Sequence, residues 1–213
     1  MRHLAEFYKT DIYKKVIGHY DRVIEDVAKE SQLDWWSQTR VWDSYKITSL
    51  EPFYYIWQVQ QTAQNKTVLD YGCGPNEFKK FWPNIYGVDR LSFSNGSFFG
   101  LPDKVSDNYV HNIDQTFFGI IAICSLHFVE KSAIILNMNK LLERLSSGCR
   151  AYMTFNTERI SEASKDAFSY RDCEKMISTN YSQTRFKILE LEASEPMGYL
   201  GKEGNVKVLL EKV

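Results

Sequence analysis

The passage that most constrains this chain is Thr67-Val-Leu-Asp-Tyr-Gly-Cys-Gly-Pro75, an apolar run that breaks directly into a glycine-rich turn. Glycine at 72 and 74 lets the backbone take open dihedrals and come close to a ligand. In a doubly wound sheet, the turn after the first strand is also where ligands dock. A second apolar run, residues 85–88, stops on Asp89, nineteen positions after Asp70. A carboxylate there can accept hydrogen bonds from the two hydroxyls of a ribose. The plainer readings are that Asp70 caps its own turn and that Asp89 is a surface carboxylate.

The rest of the chain fits this opening. Residues 76–82 read as a brief helix ended by Pro83, and residues 91–107, rich in Ser, Asn, Gly and Pro, as loop. Residues 109–113 read as a third, sparsely patterned strand. Residues 118–124 hold the run Ile120-Ile-Ala-Ile123, typical of a central parallel strand. An amphipathic helix is expected over 131–145, a strand over 150–155 and a helix over 170–179. Residues 187–191 and 205–211 form two closing strands. The alternation predicts an α/β fold: a doubly wound, Rossmann-like sheet of seven mostly parallel strands. With no helix between the last two strands, the last is expected to return antiparallel.

Residues 1–65 are expected to form an N-terminal helical cap and residues 66–213 the core. Tyr13, Val16, Ile17, Tyr20, Ile24 and Val27 recur at helix spacing. Thr48 and Glu51 make a capping-box pattern ahead of a second helix over 53–64. Aromatic residues are 15% of the chain, and burial in a core is the first use of such side chains. Trp35, Trp36 and Trp42 read as a helix-packing seam or as a platform for a substrate.

Charge and cysteines narrow the field. The net charge is −1, and residues 1–65 carry eight Lys/Arg against nine Asp/Glu, so no basic face awaits a nucleic acid. The four cysteines form no C-x-x-C pair, which points to neither zinc nor disulfides and sets the chain in a reducing, cytoplasmic compartment. No run of about 18 apolar residues suggests a membrane span. A dinucleotide fingerprint would need glycine at 77, where Glu77 would oppose a pyrophosphate.

Val68-Leu-Asp-Tyr-Gly-Cys-Gly-Pro75 resembles the first signature of class I S-adenosylmethionine-dependent methyltransferases. Similar segments follow in that family's order: Tyr86-Gly-Val-Asp89, Ile123-Cys-Ser-Leu-His-Phe-Val129 and Leu141-Leu-Glu-Arg-Leu-Ser-Ser-Gly-Cys-Arg150. The resemblance covers residues 66–213 and implies S-adenosylmethionine as cofactor, S-adenosylhomocysteine as product and methyl transfer as the reaction. By position it implies that Asp70, Gly72 and Gly74 line the cofactor's amino-acid moiety and that Asp89 binds ribose. Asn112 or Asp114, near the end of the third strand, would face adenine, and Ser125 and Leu126 would lie beneath the methyl group. His127 takes a histidine position common in members acting on small molecules; it is the candidate general base, or else an ordinary hydrogen-bonded histidine.

The resemblance implies a small or medium acceptor sooner than a nucleic acid, because residues 124–128 lack the Asn/Asp-Pro-Pro-Tyr of enzymes that methylate exocyclic base nitrogens. The acceptor would approach beyond strands four and five, near His127 and Asn156, beneath a cap offering Trp35, Trp36, Trp42, Tyr45, Tyr54 and Tyr55. Three departures stand out: Asn76 replaces the third glycine, Gly119 replaces an aspartate, and the second crossover is mostly loop. They support an alternative of another class, a methyltransferase-like binding or partner subunit with a degraded pocket.

Overall fold

The computed structural model describes residues 2–18, 52–74, 76–90, 101–106, 109–123, 125–126, 131–155, 170–181, 185–193 and 206–213. Among these, seven strands form one sheet: β1 (Val68–Tyr71), β2 (Ile85–Asp89), β3 (Lys104–Val105), β4 (Ile120–Ile123), β5 (Arg150–Phe155), β6 (Phe186–Ala193) and β7 (Val206–Lys212). Their spatial order is β3-β2-β1-β4-β5-β7-β6. Neighbours from β3 to β5 run parallel, and β7 is antiparallel to both β5 and β6. This is the expected doubly wound sheet with its reversed last strand.

Alternate residues divide the two faces, as the period of a strand requires. Val68, Ile85, Ile121, Tyr152 and Leu209 share a cluster with α3 (residues 52–63), through Phe53, Ile56, Val59 and Ala63. Leu69, Val88, Ile120, Ala122, Met153, Val208 and Leu210 meet α4 (Lys131–Glu143) and α5 (Tyr170–Tyr181) on the other face, through Ile134, Met138, Leu141, Met176 and Ile177.

Of the expected N-terminal helices, the structure describes α1 (Arg2–Phe7), α2 (residues 11–18) and α3. Thr48 and Glu51 lie outside the described residues, as do Tyr20, Ile24 and Val27. Pro52 opens α3, where its missing N–H is no loss. The helix stops after Ala63 because Gln64 (φ 51°) and Asn65 (φ 63°) turn left-handed, and Lys66 N–H then donates to the Ala63 carbonyl at 2.9 Å. Phe7 and Val16, fully buried, pack in the same cluster as α3 and the sheet.

The third strand is a correction. It is the two-residue β3, inside the stretch read as loop, and Tyr109–His111 is a 3-10 turn. Its apolar pair, Tyr109 and Val110, is buried against the α4 side of the core, so the Y-V spacing came from a turn packing inward. The helix expected over 76–82 is likewise a single 3-10 turn, Glu77–Lys80.

Candidate functional site

The turn after β1 is built by glycine and by its neighbours. Gly72 (φ +72°) and Cys73 both donate their backbone N–H to the Val88 carbonyl, at 2.7 and 3.2 Å, which ties the turn to the end of β2. Any side chain on Gly72 would collide with Ser125 Cβ, just beyond β4, whereas the position of a Cβ on Gly74 (φ +53°) is open space. Gly72 is thus required by packing between two strand ends, and Gly74 faces open space. Gly74 N–H donates to Asp89 Oδ2 at 2.8 Å, so the carboxylate at the end of β2 is oriented by the turn itself.

Asn76 explains why the third glycine is dispensable. It sits at φ 56°, ψ 41°, the left-handed region, which asparagine tolerates better than most residues. Its Nδ2 donates to the Leu101 carbonyl and to Asp103 Oδ2, both at 3.1 Å. Asp103 Oδ2 also accepts the Gly87 N–H at 2.8 Å, and its Oδ1 is paired with Lys79 Nζ. Gly87 is needed here because a Cβ would overlap the Asn76 amide. Gly119 has a similar reason: a Cβ would lie 2.5 Å from Val59 of α3 and 2.9 Å from Val68.

The edge is acidic. The buried Cys73 thiol is pushed far above its ordinary range, first by burial and then by the charges of Asp70, Asp89 and Asp103. Tyr71 is raised as well, by burial and then by Asp89. Burial also raises Asp103, but Lys79, the Gly87 amide and Asn76 outweigh it and hold the carboxyl below its usual value. Three carboxylates around one turn suit a cationic ligand and oppose a pyrophosphate. Ser125 Oγ, buried beside Gly72, has no hydrogen-bond partner among the described residues.

The structure therefore brings Asp70, Gly72, Gly74, Asp89 and Ser125 to one place. Leu126 is 1% exposed and belongs to the core cluster with α4, leaving only its backbone for a ligand. Asn112 and Asp114 are exposed and follow the 3-10 turn rather than ending a strand. The strand-end position expected for them is held by Ser106, whose N–H donates to the Asp89 carbonyl at 2.9 Å. His127 and Asn156 lie outside the described residues, as do Trp35, Trp36, Trp42 and Tyr45. Among the described residues no group of His, Cys, Asp and Glu is arranged to hold a metal.

Tyr55 is 3% exposed and is part of the core: its ring stacks on Tyr152 at 4.5 Å and its hydroxyl bonds Glu190. Beside it Lys207, 7% exposed, lies 3.8 Å from Glu190 and 3.4 Å from Glu192. Neither this ion group nor Asp103 was singled out in the sequence. Asp103 sits in a loop-like stretch with no periodicity, and Lys207 alternates with apolar residues as a solvent-facing strand lysine would.

No family model and no curated protein matches this sequence. Solved structures do match in fold. Magnesium protoporphyrin IX methyltransferase (ChlM) from Synechocystis PCC 6803, with bound S-adenosylhomocysteine, aligns over 100% of both chains at a TM-score of 0.55 and 11% identity. The N-methyltransferase NodS from Bradyrhizobium japonicum WM9, in complex with the same product, aligns at 0.52 and 10% identity over 89% of this chain and 98% of its own. An rRNA methylase from Streptococcus thermophilus aligns at 0.50 and 14% identity, over 76% and 95%. The fold is that of class I S-adenosylmethionine-dependent methyltransferases.

Proposed function

We propose that the protein is an S-adenosylmethionine-dependent methyltransferase acting on a small or medium acceptor. The observation that carries this reading is the glycine turn after β1, open at Gly74 and ringed by Asp70, Asp89 and Asp103. The residues fit the cofactor. Its net positive charge matches the acidic edge, Asp89 stands where ribose hydroxyls need an acceptor, and the buried Ser125 hydroxyl offers a polar partner. When bound, S-adenosylmethionine supplies a methyl group made electrophilic by its sulfonium.

The chain's own part is positioning. Gly74 N–H fixes one Asp89 oxygen, so that carboxylate needs little reordering when a ribose arrives. Gly72 lets Ser125 close against the turn. Positioning of this kind can supply roughly 7–11 kcal/mol of a barrier. His127 is proposed as the base that takes the acceptor's proton, worth about 10²–10⁴-fold. Residues 1–46 are proposed to cover and orient the acceptor, excluding water.

The degraded-pocket alternative draws on Asn76 and Gly119. Each is a fitted part of the structure, the first by its left-handed backbone and side-chain bonds, the second by close packing of α3. That fit supports a binding-competent turn. Buried, unpaired Cys73 and Cys149 are consistent with the proposed cytoplasmic setting, and no helix among the described residues is long and apolar enough to cross a membrane.

Calorimetry with S-adenosylmethionine, S-adenosylhomocysteine and NAD tests the cofactor directly. Binding of the first two and not of NAD is expected; no binding of either sinks the reading. Activity is tested with Trp36→Ala and Tyr45→Ala, since deleting residues 1–46 would also take away the core side chains of Phe7 and Val16. In both variants cofactor binding should survive and methyl transfer should fall. Normal turnover by both variants would remove the cap from the acceptor site.

A further inference from the structure

The third position of the glycine turn is occupied by a residue with a side chain, and that side chain is not idle. Asn76 holds the left-handed backbone and reaches across to the segment before β3, donating to Leu101 O and Asp103 Oδ2 at 3.1 Å each. Asp103 in turn makes three more contacts, to two residues of different elements. It takes the N–H of Gly87 in β2 at 2.8 Å, pairs with Lys79 of the 3-10 turn, and gives its own N–H to the Gly87 carbonyl at 2.8 Å. Because β3 begins only at Lys104, a ladder bond to Gly87 N–H is missing, and the Asp103 carboxylate takes its place.

The consequence reaches the cofactor edge through a short covalent path. Asn76 lies two residues after Gly74, whose N–H orients Asp89. Asn76 N–H also donates to the Cys73 carbonyl at 2.9 Å, closing the turn around Gly74. A turn with glycine at its third position would have wider freedom there. Here the freedom is removed by a tether that ends on Asp103.

We infer that Asp103 is a positioning residue for the cofactor turn, acting through Asn76 to hold Gly74 and Asp89 in their binding geometry. This rests on the cofactor reading above. It assigns a role to a residue that touches no ligand, and it makes Asn76 and Asp103 a coupled pair instead of two independent losses.

A double-mutant cycle read by S-adenosylhomocysteine affinity tests it, using Asn76→Gly, Asp103→Ala and the double variant. Each single change is expected to weaken binding about tenfold, and the double variant no more than the weaker single, because both cut the same tether. A merely structural role for Asp103, confined to joining β2 and β3, would give additive losses, about a hundredfold in the double variant, and would overturn the inference. Unchanged affinity in folded Asp103→Ala would overturn it too. If Asp103→Ala does not fold, an exchange of the two side chains replaces it. Asn76→Asp, which removes the donor and sets two carboxylates against each other, should weaken binding, and adding Asp103→Asn, whose amide can donate back, should restore it; no restoration would overturn the inference. Failure of the wild-type chain to bind S-adenosylhomocysteine would instead overturn the cofactor reading, and this inference with it.

Discussion

The two ends of the sheet are fastened by different means. At one end, β3, β2 and β1 have two, five and four residues. Their ladders are short, and side chains complete them: Asp103 bonds Gly87, Asn76 bonds Asp103, and Asp89 bonds the turn. At the other end β5, β7 and β6 have six, seven and eight residues and pair over nearly their full lengths. There backbone bonds and a continuous apolar stripe, Met153, Phe155, Val206, Val208 and Leu210, do the fastening. Regular ladders hold a sheet well but allow only extended dihedrals. The left-handed residues at 72, 74 and 76 sit just past the end of β1, where side-chain bonds from Asp89 and Asn76 supplement the backbone ones. The edge proposed to hold the cofactor is therefore the end that regular pairing holds least.

Breaking the long-stranded end should cost most. Leu210→Ala removes a fully buried side chain and is expected to lower unfolding stability by about 2–5 kcal/mol in urea titrations, while the folded fraction keeps its S-adenosylhomocysteine affinity. Loss of affinity in step with stability would erase the division between the ends. Gly72→Val should do the reverse. Backbone strain of about 1–3 kcal/mol at positive φ adds to the collision with Ser125, so binding should vanish in calorimetry while circular dichroism changes little.

Asp89→Ala sharpens the contrast further. It removes charge-assisted bonds worth about 1.5–3 kcal/mol each, so affinity should fall at least about tenfold. Equal affinity in a folded Asp89→Ala protein would take ribose recognition away from this residue. The smallest effect concerns acid. The Asp103 carboxyl is held below its ordinary value in the folded chain, so the stability it contributes is present above the usual aspartate range and is lost as pH falls below about 4. Urea midpoints of Asp103→Asn should therefore decline less steeply than wild type below that pH; parallel declines would show that the tether is electrostatically silent.

The long-stranded end was also the legible one. Its residues alternate or run apolar over six or more positions, and the lack of a helical pattern in the sequence between 191 and 205 correctly signalled the reversed strand. β3 escaped because two residues, Lys104 and Val105, carry no period, and Tyr109-Val110 nearby imitated a strand while packing as a turn. At the site, Gly72, Gly74 and Asp89 were readable because their backbone demands show in residue type. Asn76 was readable only as a departure, since its left-handed backbone and its bond to Asp103 depend on a loop 27 positions away. Leu126 had a legible position, and its side chain is buried in the core cluster with α4.

The placement of β7 sets an order in which the protein can be assembled. It lies between β5 and β6, yet it follows both along the chain. As a growing chain leaves the ribosome, β5 emerges with one edge bare, and β6 has nothing to pair with until residues 206–212 have been made. The open edge of β5 stays unpaired through that interval, the kind of surface on which chains associate wrongly. β1, β2 and β4 need no such delay once residue 123 is out, so the β1–β2 end can take shape while the opposite end of the sheet still waits for its central strand.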